Sequence, residues 1–208
     1  MEAQTKETQD KMTPDKSLNE LKLGNQRFVN KNQLNRDLLQ QVKETSTGQY
    51  PFATILSCID SRVSSELIFD QGIGDIFSVR IAGNFVNEDI LGSMEFACKL
   101  AGTKLIVVLG HTACGAVKGA CDHARLGNLT ALINKIEPAV DAVIEPQDKS
   151  LRNSSNIDFV NRVAEKNVEM TISEIRSASS VLNEMEKNGE IKIIGGIYDI
   201  ASGLVSFN

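Results

Sequence analysis

A chain of 208 residues with 41% hydrophobic and 24% charged content has the make-up of one ordinary globular domain with room for a substantial core. Its formal net charge of -5 speaks against nucleic acid as a partner, and no apolar run approaches the roughly 18 residues of a membrane span, so no membrane is expected either. Four cysteines in a chain of this length are too sparse for the disulfide framework of a small secreted domain, so reduced thiols, some of them metal-bound, are the starting assumption.

Residues 1–16 are polar and mixed in charge, without the apolar segment of a signal peptide, and are expected as a flexible arm ahead of a single domain over 17–208. The expected location is the cytoplasm, or the periplasm if a signal peptide has been removed. Ser17, with Glu20 three residues on, reads as a capping box opening a helix whose Leu18, Leu21, Leu23 and Phe28 share roughly one face. A second short helix is expected over 34–44, followed by the turn-rich Ser46-Thr-Gly-Gln-Tyr-Pro51.

From Phe52 the period changes. Phe52–Asp60 is a short apolar run rich in β-formers, and Ile76–Ala82 and Lys104–His111 are two more such runs. Helical stretches separate them: a turn or two over 64–71, and a helix from Glu88 to Ala101 stopped at Gly102. A further helix starts near Cys114, and one long helical segment is expected over 156–188. The C-terminal Ile191–Phe207 reads as a strand, a turn at Ser202-Gly203 and an edge strand. Apolar strands alternating with helices predict an α/β fold: a mainly parallel central sheet flanked by helices, with an N-terminal helical arm and a C-terminal edge strand.

Chemistry-bearing residues cluster where two predicted strands end. Cys58-Ile-Asp60-Ser-Arg62 closes the first and His111-Thr-Ala-Cys114-Gly115 the third. In parallel α/β sheets ligands bind beyond the carboxyl ends of the strands, so Cys58, His111 and Cys114 converge if those strands adjoin. Two thiolates and an imidazole suit zinc, whose catalytic sites keep three protein ligands and an open fourth position. Any one of these cysteines alone reads more naturally as core filler, as do Cys98 and Cys121. His123, the only other histidine, reads as a surface residue and as the sole spare imidazole for moving protons.

These segments resemble the β-carbonic anhydrases. Cys58-x-Asp60-x-Arg62 followed by His111-x-x-Cys114 is similar to that family's signature, and so are LKLGNQRFV, FSVRIAGNFV, LGSMEFA and GGIYDIASGLVSF, which leave only the first sixteen residues outside the likeness. The resemblance implies carbon dioxide and bicarbonate as substrates and one zinc ion per chain on Cys58, His111 and Cys114. It implies an Asp60–Arg62 pair that orients the nucleophile. Zinc brings bound water from a pKa of ~15.7 toward ~7, Asp60 accepts its hydrogen bond, and Arg62 holds Asp60 ionised and off the metal. In a closed state Asp60 would be a fourth ligand. A tryptophan three residues before the first zinc cysteine belongs to an inhibitory site in another branch; Ile55 stands here, so Asp60 is expected on Arg62.

The resemblance also implies substrate contacts. Gln49 matches a substrate-binding glutamine of the plant-like branch, Phe77, Ala82 and Phe96 an apolar wall, and the Gly115 amide a backbone donor. Ala82 replaces a frequent valine and Phe96 a frequent tyrosine, so a hydroxyl contact at 96 is lost. A homodimer or homotetramer is implied, with N-terminal helices embracing a neighbour and the active site at the dimer interface. The same ligands would serve a hydrolase of carbon disulfide or carbonyl sulfide, or a non-catalytic zinc protein. Thiol redox chemistry lacks a Cys-x-x-Cys motif.

Overall fold

The computed structural model describes residues 2–208. Five strands, β1 (Ala53–Ser57), β2 (Ile76–Arg80), β3 (Leu105–His111), β4 (Lys192–Tyr198) and β5 (Val205–Phe207), form one sheet in the order β2-β1-β3-β4-β5. The first four run parallel, and β5 returns antiparallel along the edge. Nine α-helices are described: α1 (Lys6–Asp10), α2 (Pro14–Val29), α3 (Leu38–Glu44), α4 (Ser65–Ile68), α5 (Glu88–Glu95), α6 (Gly115–Cys121), α7 (Gly127–Ala142), α8 (Ile157–Ala178) and α9 (Ser180–Lys187). A π-helical stretch, Phe96–Leu100, extends α5. Among the described residues no helix is long and apolar enough to cross a membrane.

The central strands β1 and β3 are buried along their whole length because both faces are covered. Leu56, Ile106 and Val108 point into the layer made by α5, α8 and α9. Ala53, Ile55, Leu105, Val107 and Leu109 point the other way, onto Leu21 of α2, Ile68 of α4 and Phe69. This alternation is the two-residue period of a strand. The chain leaves β1 for β2 on one side and then crosses to β3 on the other. The crevice beyond the carboxyl ends of β1 and β3 is therefore a topological switch point, the favoured ligand site of such sheets. With Ser57 opposite Leu109, the residues that follow, Cys58 and His111, emerge side by side.

Several local expectations are corrected. Helix α2 starts earlier than Ser17: Thr13 caps it, accepting from Lys16 N–H, and Pro14 occupies its first turn, where a missing N–H costs nothing. Ser17 lies inside the helix and donates to the carbonyl of Phe52. The segment expected as a loose arm contains α1, and buried Gln9 donates from its amide to the carbonyls of Pro51 and Ala101, both at 2.8 Å. Met1, the first residue of that expected arm, lies outside the described residues. No element is expected between Cys121 and Asn156, yet α7 occupies 16 residues of that interval and buries Ile133, Ile136 and Val140. Its helical spacing is visible in the sequence, with Pro138 set against it. The long segment 156–188 is two helices, because Ser179 is extended (φ -111°, ψ 103°) and its side chain caps α9 by accepting from Leu182 N–H.

Helix α2 sits unusually close to the chain beneath it. A Cβ on Gly24 would lie 1.8 Å from the Phe69 carbonyl oxygen, a backbone atom that cannot swing aside. Gly24→Ala is expected to cost about 1–3 kcal/mol or more through overpacking, which thermal unfolding reads at about 2–4 °C per kcal/mol in a chain of this size. An unchanged Tm would show that α2 is not seated in this way.

Asp70 anchors the same region. Its carboxylate accepts from Arg27 Nε at 2.5 Å, Arg36 Nη1 at 2.6 Å and Leu34 N–H at 3.2 Å. Burial pushes this carboxyl up, but the two guanidiniums and the amide outweigh it and hold it below the usual carboxylate range. A lowered folded-state value stabilises fully above the unfolded value, about pH 4, and the gain is lost as pH falls through the folded value. Asp70→Asn is expected to cost about 1–3 kcal/mol at neutral pH, since the half-buried guanidiniums of Arg27 and Arg36 lose their charged acceptor. It should also flatten the acid limb of the stability–pH curve, and an acid limb as steep as the wild type's would remove Asp70 from that account.

Candidate metal centre

Cys58 follows β1, His111 ends β3, and Cys114 caps the start of α6 three residues later. The tight turn between the last two requires a left-handed residue. Ala113 takes that conformation (φ 53°), and its N–H is caught by Asn161 Oδ1 of α8 at 2.9 Å. His111 Nδ1 faces the Thr112 carbonyl oxygen at 3.0 Å, which turns Nε2 inward. Thr112 is held in turn, its hydroxyl donating to Asp199 at 3.2 Å and accepting from Ile200 N–H.

The outcome is convergence: the ligand atoms of Cys58, His111 and Cys114 all lie within 4.8 Å of one another, and all three residues are buried. His111 Nε2 is buried without a hydrogen-bond partner among the described residues. An orphaned imidazole nitrogen is costly unless a ligand takes its lone pair. The sulfurs of Cys58 and Cys114 stand 3.9 Å apart, far beyond a disulfide bond, and both cysteines are free. Hydrogen bonding from Cys114 pulls the Cys58 thiol down against the effect of burial, with the Gly83 N–H and the Asp60 backbone assisting. The Cys114 thiol is pushed up by the neighbouring Cys58 and by burial. Two thiols held this close favour a cation between them, since ligation needs both deprotonated. The donor set fits zinc.

Asp60 stands at the rim of this cluster, its Oδ2 3.9 Å from His111 Nε2. Arg62 grips it with two prongs, Nε to Oδ1 at 2.9 Å and Nη2 to Oδ2 at 2.7 Å, and adds its own backbone N–H at 3.0 Å. This fork, opposed by burial, holds the carboxyl well below its ordinary range. Arg80, not singled out from the sequence, locks the same loop from β2 by donating to the carbonyls of Cys58 (3.0 Å) and Asp60 (2.7 Å). Asn161 and Asn167 of α8 were also missed. Asn167 did carry a signal, as a polar residue between Val163 and Val168 on an apolar stripe.

The expected substrate residues divide into two groups. Ala82 precedes Gly83, whose N–H donates to Cys58 Sγ at 3.4 Å, and Gly115 is the exposed first residue of α6, next to Cys114. Both are chain neighbours of residues at this centre. Gln49 is exposed and makes no hydrogen bond to the cluster. Phe77 and Phe96 pack edge to face with ring centroids 6.4 Å apart, and they line a groove of about 840 Å³ with Arg80, Glu88 and Ser93. None of the three candidate ligands lines that groove. Cys98 is buried elsewhere with its Sγ on Thr103, and Cys121 is buried behind Cys114. His123 lies on the surface, its Nδ1 2.9 Å from Glu137.

The carbonic anhydrase family profile matches residues 53–205. The chain is 34% identical over 163 residues to carbonic anhydrase 2 of Mycobacterium tuberculosis, covering 76% of this chain and 74% of that one. It is 30% identical over 172 residues to a carbonic anhydrase of Pseudomonas aeruginosa, covering 80% and 77%. In structure it is similar to a β-carbonic anhydrase of the fungus Aspergillus fumigatus, with a TM-score of 0.71 at 28% identity over 82% of this chain and 81% of that one. A likeness that extends from the first strand of the sheet into the last, in sequence as well as in fold, places this chain in the carbonic anhydrase family, in its β class, and with it the activity of reversible carbon dioxide hydration.

Proposed function

We propose that carbon dioxide is hydrated at one zinc ion per chain, held by Cys58, His111 and Cys114, with Asp60 and Arg62 as the pair that orients the attacking water. The observation that carries this reading is the convergence of two thiols on an imidazole nitrogen that is buried and otherwise unpartnered. When bound, zinc supplies Lewis-acid activation of water near neutral pH. Asp60, kept ionised by Arg62, would accept a hydrogen bond from the incoming water and so aim its lone pair at the substrate carbon. The fork of Arg62 also keeps Asp60 from swinging onto the donor cluster, which would close it. Ala82 gives carbon dioxide an apolar wall, and the Gly115 N–H a donor for the oxygen that gains charge.

Phe77, Phe96 and Gln49 belong to the same reading through a second copy of the chain. In their own chain they lie apart from the metal centre, and Phe96 is 49% exposed beside Leu100 at 76%, an apolar surface that a neighbour would cover. The reading is a homodimer or homotetramer with the site at the dimer interface. Deleting residues 1–45 does not test this, because Leu21 is fully buried in the chain's own core. Light scattering on the intact protein does: two or four times 22.7 kDa is expected, and an active species of 22.7 kDa would refute it. Four free cysteines suit the cytoplasm, with the periplasm as the alternative if a leader has been removed.

The decisive experiment measures zinc per chain and follows carbon dioxide hydration by stopped flow with a pH indicator. About one zinc per chain with rapid hydration is expected. Zinc without hydration across the neutral and alkaline range would sink the proposal.

A further inference from the structure

We infer that Asn167 is a positioning residue for the metal centre, a buried amide that sets the donor strength of the Cys58 sulfur by fixing the turn opposite it. This rests on the zinc reading above. Asn167 is 3% exposed, and its Nδ2 donates to the Gly83 carbonyl at 2.7 Å. Its neighbours along the buried stripe of α8 are the apolar Val163, Ala164 and Val168 and, one turn on, Thr171. An amide here carries a desolvation cost that a valine would avoid, offset by this hydrogen bond.

Gly83 is the residue with most freedom to lose. It takes φ +80°, and a Cβ would meet Ile136 Cδ1 at 2.3 Å, so neither a side chain nor an ordinary backbone fits. The turn is otherwise closed by Asn84 N–H donating to the Ile81 carbonyl, and Asn84 is itself left-handed (φ 42°). A glycine in such a turn can rotate its peptides with little steric resistance. Asn167 removes that freedom by holding the carbonyl, and the Gly83 N–H then points at Cys58 Sγ, 3.4 Å away. An N–H donor on a thiolate draws off charge and fixes its lone pairs, so the sulfur becomes a weaker and better-aimed donor. The same turn carries Ala82, so one amide governs both the metal's electronics and the apolar wall beside it.

The test uses the full chain loaded with cobalt, whose thiolate-to-metal charge-transfer band reports sulfur donor strength independently of activity. In Asn167→Ala the band is expected at longer wavelength than in the wild type, with metal retained against a chelator about 10–100-fold less tightly. Asn167→Leu fills the amide's volume without its donor and should show the same shift. Gln9→Ala is the control: this buried amide donates to the carbonyls of Pro51 and Ala101, just before β1 and β3, at the end of the sheet away from the metal centre. It should lower Tm and leave the band in place. An unmoved band in Asn167→Ala, or an equal shift in Gln9→Ala, would overturn the inference. Failure of both Asn167 variants to fold would overturn it too, by assigning the amide to stability alone. A wild type that takes up no cobalt would instead overturn the metal reading itself.

Discussion

Cys58→Ser is expected to strip the protein of zinc and abolish hydration. Serine keeps the shape but replaces a soft, readily ionised donor by a hard hydroxyl that stays protonated near neutral pH. Cys114 and His111 then remain as two donors, one short of the three protein ligands of a catalytic zinc site. The loss in activity should exceed the roughly 10–100-fold that follows from removing a group that merely supports a ligand. Metal analysis and stopped-flow hydration on the same preparation read both effects. Cys98→Ser is the matched control: that thiol is equally buried, burial pushes it up to about 11, and its sulfur contacts Thr103 rather than the cluster. A Cys58→Ser protein that kept its zinc, or a Cys98→Ser protein that lost it, would mean the metal is bound elsewhere.

Arg62→Ala is expected to cut kcat/KM by about 10–100-fold while leaving stability almost untouched. The two effects separate because of where Arg62 sits. Its side chain is 52% exposed, and exposed ion pairs contribute about 0–1 kcal/mol to folding. Its contacts with Asp60 nevertheless leave that carboxylate one orientation. Arg80 continues to hold the Asp60 backbone through its carbonyl, so the substitution frees the carboxylate without unfolding the loop. Arg62→Lys keeps the charge and loses the fork, and should recover only part of the rate. Full activity in Arg62→Ala would remove the pair from the mechanism.

The α/β class, the mostly parallel sheet and the convergence of Cys58, His111 and Cys114 were legible in the sequence because each rests on a local pattern. Near-continuous apolar runs mark strands buried on both faces, and chemistry-bearing residues stand directly at their carboxyl ends. Strand limits agree to within three residues, since a strand must alternate between Leu56-type and Ile55-type environments over its whole length. Ser17, Ser179 and α7 were misread or missed for reasons of context. Thr13 competed with Ser17 for the cap, Ser179 breaks its helix with an extended backbone and a side chain that also donates to Glu95, and Pro138 obscured a helix whose buried face is otherwise plain.

What only the tertiary structure decided is where contacts join residues distant in sequence. Phe77 and Phe96 meet each other and not their own metal centre, a fact set by the position of β2 at the sheet edge and of the π-helical stretch beyond α5. Asn161 and Asn167 reach the two turns of the site from 48 and 84 residues away, through hydrogen bonds to backbone groups, so that even the visible oddity of a polar Asn167 on its stripe does not name its partner. Gly24 reads as an ordinary helix-weakening glycine until Phe69 is found against it. The sequence by itself determined the period of each element and the donors available to a metal, because both are properties of neighbouring side chains. The orientation of those donors, and which surfaces remain open to another subunit, followed only from long-range packing.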